Sequence, residues 1–140
     1  MSTIVTRAGK GSPLTHTEVD ANFTNLNTDK AGYITGEGGA VTQATSKSTG
    51  VTLSKKCGTV TMNNAALAAD TIVSFTLTNT TIAATDIVAL NHASAGTAGK
   101  YALNAAAGAG SAVITVTNIS AGSLSEAIVI RFAVIKAVTA

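Results

Sequence analysis

Mainly β with a single helix at the front is the class this sequence predicts, and three observations carry it. From about residue 40 onward, large apolar residues alternate with Thr and Ser, the period of half-buried strands. Ahead of that region, GSPLTHTEVDANFTNLNTDK (residues 11–30) holds a full set of helix start signals. Between the two, AGYITGEGGA carries Gly32, Gly36, Gly38 and Gly39, the composition of a linker or turn. Two parts are therefore expected. Residues 1–38 hold a helix over about 15–31 and the Gly-rich linker. Residues 39–140 form an antiparallel β-sandwich, jelly-roll-like and homotrimeric.

Residues 1–14 read as polar and irregular, with Gly9, Gly11 and Pro13. The helix then opens on a capping box. Thr15 and Glu18 are spaced so that the Thr hydroxyl accepts from the Glu18 amide while the carboxylate reaches back to the Thr15 amide. Leu14 and Val19 are placed as a hydrophobic staple. Glu18 and Asp20 put negative charge where the first-turn amides favour it. Pro13 discourages an earlier start, and Lys30 with Gly32 marks the end. Val19, Phe23 and Leu26 form one narrow apolar stripe, with Ala21, Asn22, Asn25 and Asn27 elsewhere. A helix of roughly 15 residues is marginal alone in water, so the stripe needs a partner. Its own domain, copies of itself and another protein all qualify.

In the β region Val51 and Leu53 face one way, as do Val60 and Met62. Val73, Phe75 and Leu77 share a face against Ser74, Thr76 and Thr78, and Val88 with Leu90 opposes Ile87. Tyr101 with Leu103, and Ile114 with Val116, continue the pattern. The final run, EAIVIRFAVIKAV, is apolar on both faces: Ile128, Ile130, Phe132 and Val134 on one, Val129, Ala133 and Ile135 on the other. Such a strand is expected to lie centrally or under another subunit. AAAGAGSA (105–112) is too small to fill a core and reads as a turn or a close chain-to-chain approach. Short runs between Gly, Asn and Ser turns give about seven to nine strands.

The length of 140 residues suits one ordinary domain with a short appendage. Charged residues make up 11%, against roughly a quarter in average domains. So little charge suits a Thr/Ser/Asn surface partly covered by copies of the same chain, hence the trimer. The net charge is +2, and the basic residues are spread along the chain with only Lys55 and Lys56 adjacent. That excludes the clustered footprint of a nucleic-acid binder and reads as solvated surface. Cys57 is the only cysteine, which rules out an intrachain disulfide and reads as a small buried hydrophobe. MSTIVTRAGKGSP has no signal-peptide run, and Arg131 and Lys136 interrupt the C-terminal apolar stretch. A protein kept in the cytoplasm or released by lysis, without membrane insertion, is expected.

No enzyme is visible. His16 has no carboxylate or thiol partner beyond the capping Glu18, His92 stands alone at the end of a strand, and no C-x-x-C or H-E-x-x-H spacing exists, so neither a metal nor a cofactor is expected. Asp86, His92 and Ser94 lie close in sequence but without a nucleophile elbow or oxyanion loop. GKGS (9–12) lacks the first glycine of a phosphate loop. The β region offers only Asp70, Asp86 and Glu126 as acids, each beside an expected turn.

TRAGKGSPLTHTEVDANFTNLNTDK resembles the N-terminal segment of many tailed-bacteriophage virion proteins, chiefly tail fibres and related appendages. The matching positions are Gly11, Ser12, Pro13, Leu14 and Thr15, then Glu18, Val19, Asp20, Asn22, Phe23, Leu26 and Asn27. The remainder looks like a C-terminal β-domain of phage structural proteins. The resemblance implies a virion protein, not an enzyme: a short trimeric fibre or appendage whose N-terminal segment attaches to a tail, neck or capsid protein. Leu14, Val19, Phe23 and Leu26 become the expected anchoring residues, and the β-domain is expected to face outward. No long shaft separates anchor from head, which favours a stubby appendage. Alternative readings are a head that binds a host cell-surface glycan, or a capsid decoration protein. For the first, Asn91, His92, Tyr101 and Asn104 are the ligand-facing residues near expected turns.

Overall fold

The Thr15–Glu18 box forms as its spacing predicts. The Glu18 amide donates to Thr15 Oγ1 at 3.3 Å, and the Thr15 amide donates back to Glu18 Oε2 at 2.7 Å. The helix it opens, α2, spans His16–Asp29. Ahead of it, residues expected to be irregular form one helical turn, α1 (Arg7–Lys10). Thr6 Oγ1 caps that turn by accepting from the Gly9 amide at 3.1 Å. Gly11 ends it in the left-handed region, φ +73°, its amide donating to Arg7 O. The computed structural model describes residues 4–29 and 36–137, the side chains of 26–29 excepted. The stop signals Lys30 and Gly32, and the side chain of Leu26, lie outside the described residues.

The chain divides into two units, Met1–Thr35 and Gly36–Ala140, a cut that falls within the Gly-rich stretch. Among its described residues the second unit is built of eight strands. They are β1 (Ala40–Thr42), β2 (Val51–Thr52), β3 (Cys57–Thr61), β4 (Ile72–Thr78), β5 (Ile87–Ser94), β6 (Tyr101–Gly108), β7 (Ser111–Asn118) and β8 (Val129–Ile135). Two four-stranded sheets result, ordered β1-β3-β8-β5 and β2-β4-β7-β6. The chain changes sheet at every connection from β1 to β6. Strands two apart therefore share a sheet, and β1/β3 and β2/β4 pair in parallel. This corrects the all-antiparallel expectation: alternation between sheets, rather than hairpins within one, sets the edges. Then β7 enters antiparallel between β4 and β6, and β8 antiparallel between β3 and β5.

Inward side chains of both sheets meet in one core. Phe75, Leu77, Ile114 and Val116 come from one sheet, and Val60, Ile130, Phe132 and Val134 from the other. The alternation read from the sequence places each of these on its inner face. The terminal strand β8 is central, as its apolar content requires, but among the described residues of the β-unit only its inner face is buried. Val129 and Ala133 are half-buried, while Arg131 and Ile135 are exposed. The small-residue stretch is corrected too: Ala105–Gly108 are strand, Ala112 is core, and only residues 109–110 turn.

Among the described residues every buried side-chain polar atom has a hydrogen-bond partner. Asn118 is wholly buried and donates to Leu67 O, Ala68 O and Gly122 O at 2.8–3.0 Å. Lys47, expected as solvated surface, is only 4% exposed. Its ammonium donates to Asn63 O at 2.6 Å and Glu126 O at 2.5 Å, tying three loops together. Burial pulls its pKa down, the Glu126 charge opposing. Cys57, expected as buried, is half-buried on the outer face of β3 opposite Ala133.

Candidate functional site

In the first unit the segment before α2 is pinned to the helix by polar contacts. The Val5 amide donates to Asn22 Oδ1 at 2.8 Å, and Asn22 Nδ2 donates to Val5 O at 2.7 Å. The Lys10 ammonium meets Glu18 Oε2 at 2.5 Å. Lys10 and the Thr15 groups pull the Glu18 carboxyl down to about 2. These contacts cover Glu18 and Asn22, and Asn25 is half-buried as well. The apolar stripe is left out: Phe23 is 68% exposed and Val19 37%. Leu14 is half-buried. The helix is thus fixed by hydrogen bonds while its largest apolar group stays open.

Of the four expected ligand-facing residues, the fold brings together two. His92 and Tyr101 meet edge to face, ring centroids 5.7 Å apart, where β5 passes into β6. Asn91 instead points out of one sheet beside Arg131, and Asn104 out of the other beside Thr115. Around the ring pair lies a network that local spacing does not reveal. Glu126 accepts from the Thr97 hydroxyl at 2.7 Å, the Thr97 amide at 3.0 Å and the Tyr101 hydroxyl at 2.7 Å. These bonds, the Thr97 hydroxyl first, hold its carboxyl below its ordinary range. Burial, then that carboxylate, pushes the Tyr101 phenol up. His92 Nε2 donates to Ala95 O at 2.6 Å.

A phenol held protonated and a carboxylate saturated with donors are fixings, not an acid–base pair. They clamp the 95–100 loop, where Ala95 has φ +57° and Gly96 φ +69°. A Cβ on Gly96 would sit 2.5 Å from Ile128 Cγ2, so the loop closes tightly on the core. The Asp86–His92–Ser94 set does not assemble. Asp86 precedes β5, about 20 Å of extended chain from His92, and accepts instead from the Ala83 amide and the Lys136 ammonium. Among the described residues no three His, Cys, Asp or Glu side chains gather, and no helix is long and apolar enough to cross a membrane.

The two outer sheet faces differ. Over β4, β7 and β6 runs a polar ladder, with Ser74 and Thr115 hydrogen-bonded at 2.9 Å. Over β5 and β8 the rows are Ile87 beside Ile135, Ala89 beside Ala133, then Asn91 beside Arg131. Sequence reading saw Arg131 only as an interruption in an apolar run; its place in the alternation is what puts it outside. Comparison of the chain with protein-family models, with curated proteins and with solved structures finds no match.

Proposed function

We propose that the chain is a structural protein of a tailed-bacteriophage particle, a short trimeric appendage attached through its N-terminal helical unit with its β-unit facing outward. The observation that carries this reading is the open Val19–Phe23 face of α2. A helix fixed by polar contacts, with its aromatic group turned to solvent, is built to dock rather than to fill its own core. The resemblance of residues 6–30 to phage attachment segments adds the kind of partner, a tail, neck or capsid protein. The sparse charge and the half-open outer face of β8 support a trimer.

The test is incorporation into particles. Phe23 is exposed in the chain, so Phe23→Ala should change its stability by no more than about 0.5 kcal/mol. Loss of a central aromatic anchor typically costs about 2 kcal/mol or more of binding. Phe23→Ala should therefore fold normally and be absent from purified particles. Thr17→Ala, on the opposite side of α2, should be incorporated as the parent is. Equal incorporation of both variants would sink the anchor.

A further inference from the structure

We propose that the free edge of β6 pairs antiparallel with the same edge of a second copy of the chain, about a twofold axis through Asn104. Exposed sheet edges invite pairing with other chains unless they are short, charged, bulged or broken by proline. Of the edge strands here, β1 has three residues, β2 has two, and β5 carries a register shift between His92 and Ser94. Each is blunted in one of those ways. The β6 edge is not. It runs eight residues, Tyr101–Gly108, in unbroken register with β7, and YALNAAAG holds neither a charge nor a proline.

The hydrogen-bond ladder fixes which groups of β6 are free. The Ile119 amide donates to Lys100 O, so bonding to β7 falls on the even-numbered residues of β6. Tyr101, Leu103, Ala105 and Ala107 therefore turn their amide and carbonyl groups away from β7. Among the described residues no other strand or loop bonds to these groups. The side chains of Leu103, Ala105 and Ala107 face the core yet stay half-buried, since no strand flanks β6 on that side. A paired strand would cover them.

One register uses all four free residues. With Asn104 opposite its own copy, Leu103 meets Ala105 and Tyr101 meets Ala107 in both directions, each pair exchanging two backbone bonds. A shift by two residues leaves Tyr101 or Ala107 unpaired, and a shift by one sets inward side chains against outward ones. In the matched register each large inward group falls opposite an alanine, so the inner layer closes without crowding. On the outer face Ala102 falls opposite Ala106, and the two Asn104 amides stand in the closer, non-hydrogen-bonded kind of pair, placed to bond each other. A single strand pair buries little area, so the contact is weak in solution and gains where copies crowd on one particle. The β6 edge belongs to the sheet without β8. The pairing thus rests on neither the attachment reading nor the trimer, and it links copies of neighbouring trimers.

Oxidative crosslinking of the full chain tests the register, in a Cys57→Ala background at near-millimolar concentration. Directly opposed Cβ atoms lie about 4.5–5.5 Å apart, close to disulfide distance. Asn104→Cys should therefore give covalent dimers on a non-reducing gel. Ala102→Cys and Ala106→Cys should each fail to crosslink alone and should crosslink when mixed, because each faces the other. Ala105→Pro removes an amide that bonds nothing within the chain, so it should leave the melting temperature nearly unchanged. Added to Asn104→Cys, it should lower the crosslinked fraction severalfold. If that variant does not fold, the cysteine comparison alone decides. The proposal is overturned if Asn104→Cys crosslinks no more than Ala102→Cys alone, if the mixture does not crosslink, or if a folded Ala105→Pro chain crosslinks as before. Failure of particle incorporation, or a monomer by light scattering, would leave these outcomes unchanged, so the two readings fail separately.

Discussion

Asn118 ends a strand that reads as ordinary alternation, yet its amide ties two loops together. Its Nδ2 serves Leu67 O, Ala68 O and Gly122 O, and its Oδ1 accepts from the Ser120 amide and hydroxyl. Asn118→Ala leaves several of these groups buried without partners, so denaturant unfolding should show a loss of roughly 3 kcal/mol or more. Glu126 is the second such residue. Its folded pKa lies below the ordinary 4.5, so its stabilising contribution is complete above that value and lost as pH falls through the folded one. Asp86 acts in the same sense from an ordinary value of 3.8. The melting temperature should fall as the pH drops below about 4.5, and Glu126→Gln should show a shallower fall. Lys47 works at the other end: its folded pKa lies below 10.5, so the cost of burying its charge is relieved as pH rises through that folded value. None of these roles is legible locally. Thr97 and Tyr101 stand 29 and 25 residues from Glu126, and only the fold brings them together.

At the scale of elements, the strand β8 carries the most. It joins β3 to β5 and presents Ile130, Phe132 and Val134 to the core. Phe132→Ala should cost about 3–5 kcal/mol in equilibrium unfolding, the range for emptying a large core site. The edge is less obvious. A Cβ on Gly58 would lie 2.6 Å from Gly39 O and 2.8 Å from Leu53 Cδ2, because β1 approaches β3 closely in their parallel pair. Gly58→Ala should therefore destabilise the β-unit although glycine is a poor strand former. Period-two alternation made the strands and their inner faces legible, and the Thr15–Glu18 spacing did the same for the start of α2. Strand order was not legible. Alternation reports which way a side chain faces, but nothing in it distinguishes a hairpin from a crossover to the other sheet, and so the parallel edges went unforeseen. Asn91, His92, Tyr101 and Asn104 do not gather in one place for a related reason: a shift of one residue along a strand reverses the face. Asn91 and His92 are adjacent and point oppositely.

At the scale of the whole molecule, the account rests on a division of labour between Met1–Thr35 and Gly36–Ala140. The β-unit holds its own core and satisfies its own buried polar groups among the described residues. Light scattering of the full chain should give three times the chain mass, and a monomer at micromolar concentration would remove the trimer. The central claim, attachment through the N-terminal unit, is tested most directly by a truncated chain of residues 36–140. Its copy number in purified particles should be measured by quantitative mass spectrometry beside that of the full chain. The account predicts a folded β-unit, melting within a few degrees of the full chain, that is missing from the particles. Incorporation of the truncated chain at the full chain's copy number would contradict it.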